Sequence, residues 1–274
     1  MIEPRRRISL IAAAAAAGLL ASAGQAPFGL WGLGLAGLAL GFHLLASAAT
    51  PRRAALAGWA LGTGFFVGTL NWLTSPFLVE PEVYGWMAPF ALLLMAGGLA
   101  LFWALAAWGA RRLTSGPGLW LVWAAAMGLA ELVRGRIFTG FPWGGPGEFW
   151  VNTPLLGLAG LTGATGLGWL TFAFAAGLVA AWGSARRWLF LALCGVAAMV
   201  LAGAGALVLS LPVPEPAKTV TVRLIQPNAA QRLKWDRDFA YVFLDRAISL
   251  TAARGAGPAP DLVIWPETSV PYLL

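Results

Sequence analysis

The chain has 274 residues, of which 59% are apolar and only 11% charged, with a mean hydropathy of +0.76. No soluble domain of this size has interior enough to hide that much apolar surface, so lipid is the solvent for most of it. The formal net charge of +7 does not mark a nucleic-acid binder, because the excess sits in short breaks between apolar runs rather than on one basic face.

Seven apolar stretches, at about 8–24, 28–49, 54–78, 86–110, 118–133, 155–182 and 187–211, are read as membrane-spanning helices; about 20 residues suffice to cross the hydrocarbon layer. The breaks carry Pro51-Arg52-Arg53, Pro76 to Pro81, Arg111-Arg112, Pro142 to Pro154 and Arg186-Arg187. The first stretch also imitates a signal peptide, with Arg5-Arg6-Arg7, an alanine-rich core and Ala21-Ser22-Ala23. Six further stretches favour an uncleaved anchor. With the N-terminus inside, Arg5, Arg6, Arg7, Arg52, Arg53, Arg111, Arg112, Arg186 and Arg187 fall in inner loops, and only Arg134 and Arg136 in outer ones. The positive-inside rule therefore sends everything after Leu211 to the extracytoplasmic side.

After Leu211 the composition changes. A Pro-rich linker at 212–218 leads to Thr219–Ile225, whose β-branched alternation predicts a strand. Phe239, Phe243, Ala247 and Leu250 recur at helical spacing behind Asp236, which predicts a helix over 236–254 with Asp236 as N-cap. Asp261–Trp265 is a second, apolar strand. Strand, helix and strand predict a parallel βαβ unit, the start of an α/β fold. The domain plan is thus 1–211 in the membrane, 212–218 as linker, and 219–274 as the beginning of a second domain in a longer protein, since about 60 residues bury too little core alone.

Glu267 follows the second strand directly, in Ile264-Trp265-Pro266-Glu267. Active sites of open α/β sheets collect at the carboxyl ends of strands. A carboxylate placed there suits a general base, or is an ordinary loop acid. Glu131 and Arg134 share a helical face and are spaced to pair. With Arg136 they form either an ion pair that fixes helix depth or a phosphate-binding headgroup contact. Phe138 to Trp143 is then an aromatic loop at the interface. Cys194, the single cysteine, and His43 lie in apolar runs and are read as packing residues.

Taken in order along the chain, Ala26-Pro27-Phe28-Gly29, Gly68-Thr69-Leu70-Asn71-Trp72, Glu131-Leu132-Val133-Arg134-Gly135, Phe138-Thr139-Gly140-Phe141-Pro142-Trp143, Gly166-Leu167-Gly168-Trp169, Gln231-Arg232-Leu233-Lys234-Trp235-Asp236 and Trp265-Pro266-Glu267 resemble the apolipoprotein N-acyltransferase family. The resemblance implies seven spans followed by a nitrilase-like αββα sandwich in the bacterial inner membrane, with no cofactor. It implies transfer of an acyl chain from a phospholipid, through a cysteine thioester, to the N-terminal amine of a diacylglyceryl-cysteine apolipoprotein. A Glu-Lys-Cys triad is implied, of which Glu267 matches the base, while Trp235 matches a tryptophan near the site or packs its own loop. The triad's Lys and Cys are expected beyond Leu274, so residues 1–274 by themselves are expected to be inactive. A tethered nitrilase-type hydrolase would need only one anchor. A transporter would show polar or broken helices at mid-membrane.

Overall fold

The computed structural model describes residues 2–213, 215, 218–230, 233, 236–253, 255, 257, 259–267 and 270. The chain divides into two compact units, Met1–Thr74 with Pro89–Leu211, and Ser75–Ala88 with Pro212–Leu274.

The first unit is helical: α1 (Ile2–Ser22), α2 (Trp31–Ala46) and α3 (Pro51–Thr69). The short α4 (Pro81–Tyr84) belongs to the second unit, and α5 (Ala88–Leu113), α6 (Leu119–Arg134), α7 (Ala159–Trp182) and α8 (Arg187–Ser210) complete the first. Three helical runs among the described residues, Pro81–Leu113, Pro154–Trp182 and Arg187–Ser210, are long and apolar enough to cross a membrane. Ser9–Ser22 and Trp31–Ala46 are apolar but shorter. Helix α6 has 16 residues, short of the roughly 20 that a perpendicular crossing takes. The protein is therefore a membrane protein by composition and by its long apolar helices.

Two spans depart from the sequence expectation. The third, expected to run to 78, leaves α-helical geometry at Leu70 and continues as a 3-10 helix over Asn71–Leu78. Asn71 turns its side-chain amide back to the Gly68 carbonyl (3.0 Å), and Pro76 has no N–H to extend the ladder. The sixth begins as a 3-10 turn at Pro154–Leu158 and is broken again at Gly163, where φ is +69°.

Helix α1 packs on α3 backbone to backbone: a Cβ at Gly18 would overlap the Leu61 carbonyl, and one at Gly64 the Ala15 carbonyl. Small residues at such crossings permit the close approach that drives helix association in lipid. Beside this crossing lies an aromatic core of fully buried Phe65, Phe66, Trp103, Trp123 and Phe172. Phe65 stacks on Trp103 at 5.1 Å, and Phe172 meets Trp103 and Trp123 edge-on at 5.4 and 5.5 Å.

In the second unit β1 (Val222–Leu224) and β2 (Leu262–Ile264) pair in parallel, with Val222 opposite Leu262 and Leu224 opposite Ile264. Helix α9 (Arg237–Ala252) connects them. The N-cap is the expected one, as the Asp236 carboxylate accepts from the Asp238 N–H at 2.9 Å. Ile225, Leu244 and Ala247 are its buried apolar residues among those described. This is the parallel strand–helix–strand unit expected, with each strand trimmed to three residues.

Candidate functional site

The carboxyl edge of the two-stranded sheet is built by local bonds. The Ile225 N–H donates to the Ile264 carbonyl at 2.9 Å, so Gln226-Pro227-Asn228 and Trp265-Pro266-Glu267 leave the sheet side by side. Asn228 sits in the left-handed region (φ 51°) and its N–H donates to its neighbour's Gln226 Oε1 at 3.0 Å. Arg246 of α9 donates to the Pro227 carbonyl (2.8 Å), while Trp265 Nε1 donates to Thr251 Oγ1 (3.0 Å). Helix α9 therefore holds both loops. Glu267 lies at this edge and is exposed to solvent. A carboxylate here is accessible to a reacting group. Trp235 lies outside the described residues.

A second cluster lies in the first unit, at the end of α6. Leu119, Trp123, Met127, Ala130, Glu131 and Arg134 form one buried face, so the helical spacing that aims Trp123 and Met127 inward carries the acid and the base inward too. Glu131 is 6% and Arg134 2% exposed. Arg134 Nε donates to Glu131 Oε1 at 3.1 Å and Nη2 to Oε2 at 2.5 Å, a bidentate pair. Trp103 Nε1 donates to the same Oε1 at 2.8 Å, and the guanidinium lies over the Phe66 ring at 5.1 Å. The remaining Nη1 donates to the carbonyls of Phe141 (2.5 Å) and Trp143 (2.9 Å). The ion pair expected between positions 131 and 134 is thus present, and it also ties down the following loop. Arg136 points the other way: it is exposed, with Nη1 donating to the Leu132 carbonyl at 3.1 Å.

The loop so held has an unusual backbone. Phe138, Thr139 and Gly140 have φ of 53°, 73° and 84°, and the Phe138 ring is 90% exposed. Such values for a bulky residue persist only where the surroundings impose them. Arg134 imposes them from one side. Gln25, buried between α1 and α2, donates Nε2 to the Gly145 carbonyl at 2.8 Å from another. Partial burial raises the pKa of Glu148, against the lowering pull of the Gly145 N–H, Arg134 and the Gly144 N–H. Trp103, Phe66 and Gln25 were not picked out from the sequence. They come from distant positions in apolar runs, where only the lone Gln25 stands out.

The order and spacing of these elements find their match among known proteins. The model of the apolipoprotein N-acyltransferase N-terminal domain matches residues 17–177. The chain belongs to the apolipoprotein N-acyltransferase family. Curated relatives in the family include the apolipoprotein N-acyltransferase of Caulobacter vibrioides, 42% identical over 264 residues that make up 93% of this chain and 49% of the relative. That of Sinorhizobium fredii is 39% identical over 94% of this chain and 51% of its own length. The Brucella melitensis protein is 38% identical over 81% and 43% respectively. The chain spans about half the length of the curated relatives it matches. The Arg134 cluster lies within residues 17–177, the span that the family's domain model matches.

Proposed function

We propose that the protein to which this chain contributes transfers an acyl chain from a membrane phospholipid, by way of a cysteine thioester, to the free amine of a diacylglyceryl-cysteine at a lipoprotein's N-terminus. The observation that carries this reading is the family membership together with Glu267 at the carboxyl edge of a parallel strand pair. Glu267 is the general base. It takes the thiol proton as sulfur attacks the ester carbonyl and returns it to the departing lysophospholipid oxygen. In the second half it takes a proton from the attacking amine and returns it to the thiolate that leaves. One carboxylate serves both halves because each uses it first as base and then as acid. Trp235 serves in substrate binding, the βαβ unit opens a nitrilase-like αββα sandwich, and no cofactor takes part.

The membrane part crosses seven times with its N-terminus in the cytoplasm of a bacterial inner membrane, which delivers the second domain to the extracytoplasmic face. Arg136 contacts the phospholipid headgroup as an exposed guanidinium suited to phosphate, and Arg134 supports it by holding the 137–143 loop in place. The test is the full-length protein incubated with phospholipid and a diacylglyceryl-cysteine peptide. Gain of one acyl group on the peptide amine, with release of lysophospholipid, is the expected result. Ammonia release from amide or nitrile substrates with no acyl transfer would instead mark a tethered hydrolase.

A further inference from the structure

Two side chains of α9 hold the two loops that leave the sheet, Arg246 the Pro227 carbonyl at 2.8 Å and Thr251 the Trp265 indole N–H at 3.0 Å. We propose that Arg246 is a positioning residue for the acyl transfer, acting through Asn228, whose carboxamide contacts the reacting acyl group. The inference rests on the reading of Glu267 as the base, since Asn228 stands at the same edge of the sheet.

The two anchors set a fixed spacing between the loops. Arg246 and Thr251 lie about 7.5 Å apart along the axis of one helix, at 1.5 Å per residue. Thr251 Oγ1 donates to the carbonyl of the fully buried Ala247 at 2.8 Å, which leaves its lone pair for Trp265. The Arg246 guanidinium lies over the Phe243 ring at 5.6 Å, one turn back on the helix, and the ring helps to aim it at Pro227.

The turn between them is held at two points. Pro227 is buried and has no N–H, so its carbonyl is its one polar group, and Arg246 takes it. Asn228 is left-handed, with φ 51°, and its N–H donates to Gln226 Oε1 at 3.0 Å. What the turn presents outward is the Asn228 carboxamide, which is exposed and makes no hydrogen bond with the described residues. Its NH₂ suits a carbonyl oxygen, the acceptor that the ester and the thioester have in common. Asn tolerates the left-handed region by itself, so without Arg246 the turn persists but loses its fixed place. A displacement of about 1 Å is enough to cost about 100-fold in rate. Arg246 is itself exposed, so its loss costs the fold little.

Thioester formation by the full-length protein, with acyl-labelled phospholipid at varied concentration and no acceptor, tests this. Arg246→Met should lower the maximal rate about 10- to 100-fold, with the half-saturating phospholipid concentration unchanged and Tm within about 4 °C of wild type. Arg246→Lys keeps a cationic donor on a stem of similar length and should recover most of the rate. Asn228→Gly keeps the left-handed turn and removes the carboxamide, so it should be as slow as Arg246→Met. Adding Arg246→Met to Asn228→Gly should slow it no further, because Arg246 acts through the group already removed. A further slowing in that background, or Arg246→Met at the wild-type rate, would overturn the inference while leaving the acyl-transfer reading intact. A raised half-saturating concentration at an unchanged maximal rate would mark a direct phosphate contact by Arg246 and overturn it as well. Wild-type protein that forms no thioester would overturn the acyl-transfer reading and this inference with it. Should Arg246→Met fail to fold, Asn228→Gly decides, and a wild-type rate for it would overturn the role given to Asn228.

Discussion

Replacing Arg134 by Met removes the cation from a site that keeps its anion. Glu131, 6% exposed, would retain only the Trp103 N–H as a partner among the described residues, and the carbonyls of Phe141 and Trp143 would lose their shared donor. Removing one member of a buried pair costs about 3–5 kcal/mol, because the other charge stays behind uncompensated. For a domain of about 150–250 residues, that is a fall in Tm of roughly 6–20 °C. Replacing both residues, Glu131→Leu with Arg134→Met, removes both charges. Both variants leave the loop carbonyls without their donor, so what distinguishes the double is the Trp103 N–H left without a partner, about 1–3 kcal/mol, in place of the uncompensated charge. The double variant should therefore be more stable than the single one, the sign of coupling that a double-mutant cycle reads. Thermal unfolding in detergent gives the stabilities, and limited proteolysis across 137–145 reports whether the loop is released. A single variant within about 1 kcal/mol of wild type, or a double variant no better than the single, would refute the clamp.

Trp103 and Trp123 are both fully buried, but Trp103 Nε1 holds Glu131 while Trp123 Nε1 has no partner among the described residues. Trp103→Phe should therefore cost about 1.5–3 kcal/mol more than Trp123→Phe, the worth of a hydrogen bond to a charged group, read from paired Tm values. Burial raises the Glu148 pKa, so the folded state holds that proton more tightly than the unfolded chain. Its contribution to stability is then fully present at low pH and is lost as pH rises through the raised value. Glu148→Gln should raise Tm at neutral pH and flatten the decline between acid and neutral conditions; an equal decline in both proteins would count against it. A reporter active only outside the cytoplasm should be active when fused after Leu211 and silent after Arg112, and the reverse pattern would overturn the orientation.

Periodicity and end signals made much of the architecture legible. Asp236 before an apolar run of helical spacing marked α9 and its cap, and β-branched alternation marked β1, since both patterns are local. Strand lengths came out too long, as β-branched and apolar residues such as Val220, Thr221, Ile225 and Trp265 flank the three that pair. The end of α3 at Leu70 was hidden inside a continuous apolar stretch, where only Asn71 and Pro76 betray it. Gly163 breaks α7, yet nothing distinguishes it in sequence from the many glycines that pack helices. The Glu131–Arg134 pair was readable because three residues separate its members. Trp103, 28 positions away from Glu131, and Gln25, 120 away from Gly145, were not, because helix packing brings them in.

The account rests most heavily on Glu267 as the base of an acyl transfer, and thioester formation measures that step alone. Full-length protein carrying Glu267→Gln, mixed with phospholipid labelled in its acyl chain and no acceptor, should form the acyl-thioester at least about 100-fold more slowly than wild type, with Tm unchanged because the exposed side chain keeps its shape. Thioester formation at the wild-type rate would contradict the role assigned to Glu267 and leave it an ordinary loop acid.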